Sequence, residues 1–161
     1  MSIRETINKN PKVGVAVAVT ALLAGFFVHR MLVPDGKPGM PRSAYYTTDE
    51  GKTTFVDDFE KAYPFEHDGK TAYRAGMVRY GKEKPFVAFL QRYNDAGKKK
   101  VVDLLASRPP DLEQQLQALY ETSVEVKKPG DTQWHRVTSG KGAAIVGTQS
   151  PSGQFPDIVF P

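Results

Sequence analysis

The sequence predicts an α+β protein with one N-terminal transmembrane helix and a small domain of antiparallel hairpins, with two helices on one face. Three observations predict this class. Residues 13–28 carry no charge. Three pairs of short runs rich in Tyr, Thr, Phe and Val flank turns that contain Gly. Between the second pair and the third, the apolar period changes from two to about 3.6 residues.

The predicted transmembrane helix covers residues 13–33. Val13–Val28 is a run of sixteen residues without a charge, and continuation to Val33 gives 21 residues. Arg30 is tolerated there if its long side chain reaches the head groups. About 20 apolar residues are needed to cross a hydrocarbon core of about 30 Å. The main alternative is a cleaved signal peptide, but the run is followed by a poor cleavage site, and Leu22–Ala24 is a weak one.

Small residues lie on one stripe of this predicted helix, at Gly14, Ala18, Ala21 and Gly25. Their spacing places them on one side, where a second helix could approach closely. The alternative is that the stripe reflects only the usual Ala and Gly content of bacterial spans. The partners that we expect are therefore the lipid bilayer and another membrane protein or a second copy of this chain.

Charge is distributed unevenly along the chain and indicates topology. Residues 1–43 hold six basic and two acidic residues, whereas residues 44–161 hold sixteen of each. The basic excess therefore flanks the membrane segment, and a nucleic-acid-binding face is not expected. We divide the chain into a tail at 1–12, the span at 13–33, a Pro/Gly linker at 34–43 and an exported domain at 44–161. The tail is predicted to be cytoplasmic.

Three hairpins and two helices are predicted in the exported domain. The paired runs are Ala44–Thr48 with Thr53–Val56, Thr71–Tyr80 with Pro85–Tyr93, and Ser123–Val126 with Gln133–Val137. The first helix is predicted at Asp95–Ser107, before Pro109-Pro110. Asp111 is predicted to cap the second helix, in a capping box with Gln114. Gly142–Gly147 is read as a last strand or a short helix, and the final eight residues as an extended strap.

No catalytic, cofactor or metal motif is found. The chain has no cysteine, which excludes disulfides and cysteine-bound metals. Both Gly-Lys-Thr sequences lack the additional Gly of a phosphate-binding loop. The acidic residues between Asp57 and Asp68 do not follow a calcium-loop spacing, and we interpret them as an exposed loop. We therefore predict no cofactor and no metal.

One turn resembles a known motif. Thr47–Thr53 looks like the Asp-box turn of sialidase-type β-propellers, except that Thr54 stands where an aromatic residue is expected. Blades of a propeller occur in series, and this chain has one copy. The resemblance therefore implies similar turn chemistry, and implies neither a propeller nor a glycosidase.

Several short segments resemble small single-span membrane-anchored proteins of planctomycete-type bacteria. The segments are Ile7–Pro11, Tyr45–Thr53, Phe65–Lys70 and Val126–Trp134. That group has no assigned activity or site residues, so the resemblance implies a bacterial envelope location and no particular chemistry.

These observations predict a non-enzymatic, membrane-anchored envelope protein of the bacterial inner membrane. Its expected role is an accessory or structural subunit of a membrane complex. The alternative is an anchored domain that binds a sugar or another small ligand through Tyr45, Tyr46 and Trp134.

Overall fold

An antiparallel sheet organises the part of the chain that the structure describes. The structure is a computed structural model that describes residues 41–161. The strands β1–β8 are Ser43–Thr47, Phe55–Asp58, Phe65–His67, Lys70–Arg79, Phe86–Tyr93, Val124–Lys127, His135–Arg136 and Asp157–Ile158. The helices α1–α3 are Asp95–Ser107, Leu112–Ser123 and Gly140–Val146. The strand order is β2-β1-β4-β5-β6-β7, and β3 and β8 also pair with β4. The predicted α+β class is confirmed.

All three predicted hairpins are present. In β1–β2 Tyr46 lies opposite Phe55, and in β4–β5 Arg74 lies opposite Gln91. In β6–β7 Val126 lies opposite His135. The register between β4 and β5 shifts next to Gly76, where a β-bulge is inserted. The first strand begins at Ser43, one residue before the predicted start of the domain.

The first helix has its predicted bounds, and the Asn94 side chain accepts a hydrogen bond from the Gly97 N–H at its start. The predicted capping box of α2 is wrong. Asp111 makes no side-chain cap, and its carboxylate accepts a hydrogen bond from the Gln115 side chain at 2.9 Å. The reason is the backbone of Asp111, at φ −100° and ψ 23°. A capping residue ordinarily has an extended backbone, which directs its side-chain oxygen toward the N–H groups of the first turn, and Asp111 does not have that conformation.

Three further elements complete the domain. Residues 140–146 form a short helix, which resolves the open choice at this position, and Ser139 caps it by accepting from the Gly142 N–H. The C-terminal strap contains β8, which pairs with the last two residues of β4, Val78 and Arg79. The strand β3 was not predicted. It follows a cis Tyr63–Pro64 bond and turns into β4 at Asp68 and Gly69, which both have positive φ.

One hydrophobic cluster joins the sheet to the helices. Its strand residues include Val78, Phe89, Tyr93, Val124 and Val126, and they alternate along their strands, so they share one face of the sheet. Helices contribute Val101, Leu119 and Ile145 to the same cluster. We call this face of the sheet the inner face.

The predicted transmembrane helix at 13–33 and its small-residue stripe lie outside the described residues. Within residues 41–161, no helix has both the length and the apolar character that crossing a bilayer requires.

Candidate functional site

The three residues predicted to contact a ligand do not form one surface. Tyr45 and Tyr46 are neighbours on β1 and therefore point to opposite faces of the sheet. Tyr46 is 0 % exposed, and its hydroxyl donates to the Asp58 carbonyl at 2.8 Å. Burial raises the pKa of Tyr46 to about 12. The prediction that Tyr46 contacts a ligand is therefore corrected: it is a core residue.

Trp134 lies in a polar and aromatic cluster on the outer face of the sheet. The Trp134 ring centroid is 5.2 Å from that of Tyr73. The Arg92 guanidinium carbon lies 4.5 Å from the Trp134 ring centroid. Arg92 Nε also donates to Glu125 Oε2 at 2.8 Å. A guanidinium over an indole is a favourable cation–π contact. One face of the indole therefore already carries a side chain of this protein.

Lys127 joins the turn after β1 to the turn after β6. Its Nζ donates to the two Glu50 carboxylate oxygens at 2.8 and 2.7 Å and to the Asp131 carbonyl at 2.9 Å. The Lys127 side chain is only 8 % exposed, whereas that of Glu50 is 42 % exposed. The Gly130 N–H also donates to Glu50. We call these contacts the Glu50–Lys127 clip.

The clip lowers the pKa of Glu50. Burial alone would raise the pKa of this carboxyl, but the hydrogen bonds from Lys127 and Gly130 and the Lys127 charge outweigh it. Lys127 Nζ also lies 5.2 Å from the Trp134 ring centroid. The clip and the Trp134 cluster are therefore one continuous set of contacts between two hairpin ends.

The turn before the clip has the internal hydrogen bonds that its Asp-box resemblance implied. The Thr47 hydroxyl donates to Asp49, and it accepts from the Gly51 N–H at 3.0 Å. Asp49 accepts from both the N–H and the hydroxyl of Thr53, at 2.9 and 2.6 Å. The Thr53 bonds are the main reason that the pKa of Asp49 falls to about 2. These bonds hold Glu50 at φ 60°, facing Lys127.

A second cluster, on the inner face, is built from tyrosines around Arg74. The Arg74 guanidinium lies 3.8 Å from the Phe59 ring centroid and 5.2 Å from that of Tyr63. Within residues 41–161, neither Arg74 Nη2 nor the buried Tyr63 hydroxyl has a hydrogen-bond partner. Burial raises the pKa of Tyr93 strongly and that of Tyr120 to about 12. These phenols are therefore neutral near pH 7 and supply no counter-charge for Arg74.

The described surface carries two shallow depressions. One, of about 390 Å³, lies beside β3 and is lined by Phe65, Lys70 and Lys98 among others. The other, of about 470 Å³, lies between α1 and α2 and includes Leu104 and Gln115. Neither contains Tyr45 or Trp134. Among residues 41–161, no group of three or more His, Asp or Glu is placed to hold a metal ion.

Comparison with known proteins does not extend this description: no protein-family model, no curated protein and no solved structure matches the chain. What the geometry itself defines is a small antiparallel α+β domain whose hairpin ends are tied by the Glu50–Lys127 clip. Sequence reasoning did not find the clip, because Glu50 and Lys127 are 77 residues apart. The only signal was the Gly-containing turn beside each of them.

Proposed function

We propose that this protein is a non-enzymatic, membrane-anchored protein of the bacterial envelope. In this proposal it serves as an accessory or structural subunit of a membrane complex. The observation that carries the proposal is the apolar run at 13–33, with charges only at Arg30 and beyond its ends. The tail is cytoplasmic, and the α+β domain lies outside the inner membrane.

The described domain supports this proposal through the nature of its polar contacts. Arg92, Lys127 and Glu50 are engaged with other side chains of the domain and tie its hairpins together. These contacts within the domain stabilise its fold and occupy polar groups that a substrate would otherwise contact.

The alternative, an anchored binding domain for a sugar or small ligand, has less support. Tyr46 is buried, and Arg92 lies over one face of the Trp134 ring. Tyr45 is half-buried and lies on the opposite side of β1 from Tyr46. One partly exposed tyrosine is a weak basis for sugar binding, which needs an open aromatic face together with convergent polar groups.

Association through the predicted span tests the assembly role. We expect Gly14→Leu with Ala18→Leu to weaken self-association or partner binding by about 1–2 kcal/mol, because close van der Waals contact holds helices together in lipid. Insertion should be unchanged, because Leu is at least as apolar as Gly and Ala. Crosslinking in membranes at matched expression provides the measurement.

The matched control is Val15→Leu with Val19→Leu, off the stripe, which should change association little. Equal crosslinking of both double variants would show that the stripe makes no contact. The described domain would then have to account for any assembly.

A further inference from the structure

Exposed apolar side chains are concentrated at one place in the described domain. Among residues 41–161, six large apolar side chains are exposed, and four of them are near β8 in sequence or in space. These four are Phe86 at 42 %, Phe155 at 52 %, Ile158 at 51 % and Phe160 at 39 % exposed. We call this set the apolar edge. The other two, Val56 and Val102, lie on β2 and α1.

The sheet register places two members of the apolar edge, Ile158 and Phe86, on either side of β4. Ile158 on β8 and Phe86 on β5 both lie directly opposite Val78, one on each side of it. Directly opposite residues share a face, so both side chains flank the buried Val78. The Val159 N–H donates to the Met77 carbonyl at 2.9 Å, so pairing continues past β8 toward Phe160.

The chain enters the domain beside this surface. The Phe59 N–H donates to the Arg42 carbonyl at 3.1 Å, and the Phe59 ring centroid lies 6.4 Å from that of Phe160. Arg42 is thus adjacent to a residue that contacts the apolar edge. Eight residues separate Val33, the end of the predicted span, from Arg42. Even a fully extended chain of that length reaches only about 30 Å.

Charges around the apolar edge are compatible with a lipid surface. The exposed charged residues around β8 and the β4–β5 turn are Arg79, Lys82 and Lys84 against Glu83 and Asp157, and near Phe160 Arg42 is balanced by Asp58, so basic residues exceed acidic ones by one. Exposed apolar side chains along β8, with one excess basic residue around them and the tether nearby, fit the head-group region of a bilayer. We propose that the apolar edge docks on the outer surface of the membrane that anchors the chain, an inference that rests on the proposed function.

Single-cysteine labelling of the full-length protein tests the docking, because the chain has no cysteine of its own. Ile158→Cys and the control Val102→Cys start from side chains of similar exposure, 51 % and 49 %. Each variant carries an environment-sensitive fluorophore in vesicles of phosphatidylcholine and phosphatidylglycerol, with or without nitroxide lipids. We expect the label at position 158 to shift to the blue and to lose at least half its emission to the nitroxide. The label at 102 should behave as in water.

Four other outcomes of the labelling experiment would overturn the proposed docking. Protein that floats with the vesicles while the label at 158 is unquenched overturns the docking and leaves the anchoring in place. Equal quenching at both positions overturns it as well, since contact would not be specific to the apolar edge. A blue shift without quenching, together with crosslinks between copies, would assign this surface to a protein partner. Loss of flotation would overturn both the anchoring and the docking that depends on it.

Discussion

Glu50→Gln should destabilise the domain more than Lys127→Met, although each substitution removes the same ion pair. In Glu50→Gln the Lys127 ammonium stays in place with its side chain only 8 % exposed, and it loses the negative charge of Glu50 and one of its two acceptor oxygens. Breaking a fully buried pair by removing one partner costs about 3–5 kcal/mol. An exposed pair is worth about 0–1 kcal/mol. Glu50 is 42 % exposed, so we expect about 1–2 kcal/mol for Glu50→Gln.

In Lys127→Met the buried charge is gone and the aliphatic stem is kept, while Glu50 can turn toward solvent. We expect a loss of less than about 1 kcal/mol for this variant. Urea unfolding in detergent measures the difference, followed by fluorescence of Trp134, the only tryptophan, which lies close to Lys127. Glu83→Gln, in an exposed turn, is the control and should leave the midpoint unchanged. A loss in Lys127→Met as large as that in Glu50→Gln would show that the unpaired Lys127 charge is not what destabilises the domain.

Two further predictions concern close contacts elsewhere in the domain. Gly142→Ala should cost about 1–3 kcal/mol in urea unfolding, because its Cβ would stand 1.9 Å from the Arg136 carbonyl oxygen. Gly140→Ala in the same helix meets open space and should be neutral or slightly stabilising, so equal losses would contradict the packing argument. The Asp49 carboxyl has a pKa lowered to about 2, so its stabilisation is present above pH 3.8 and is lost as the pH falls toward 2. In Asp49→Asn, stability should no longer fall between pH 3.8 and about 2 because of this carboxyl. An acid-unfolding curve identical to that of the parent protein would show that the bonds from Thr53 to Asp49 do not stabilise the domain.

Local signals in the sequence predicted most of the architecture of the domain at residues 41–161. The change of period near Asp95 and the Pro109-Pro110 stop placed α1 correctly, since both depend only on neighbouring residues. The Gly-containing turns placed three hairpins. The strand β3 was missed because three residues, Phe65–His67, are too few to show a period.

The candidate site could not be predicted in the same way. Whether a tyrosine on β1 faces the core depends on register, which is set by β4 across the sheet, so Tyr45 and Tyr46 could not be told apart. Lys127 directly follows the predicted strand Ser123–Val126, in a turn, where lysines are ordinarily exposed, whereas the structure includes it in β6. Its burial depends on Glu50 and the loop that contains Asp131, which no local pattern of residues reports.

Carbonate extraction of cell membranes, followed by the intact mass of the extracted chain, tests the anchoring most directly. We predict that the protein stays in the membrane pellet at high pH, because about 20 apolar residues hold a helix in the bilayer essentially irreversibly. We also predict that it retains the mass of the full chain, 17.8 kDa. Release into the supernatant, or a mass that corresponds to cleavage near Ala24, would contradict a membrane-anchored protein.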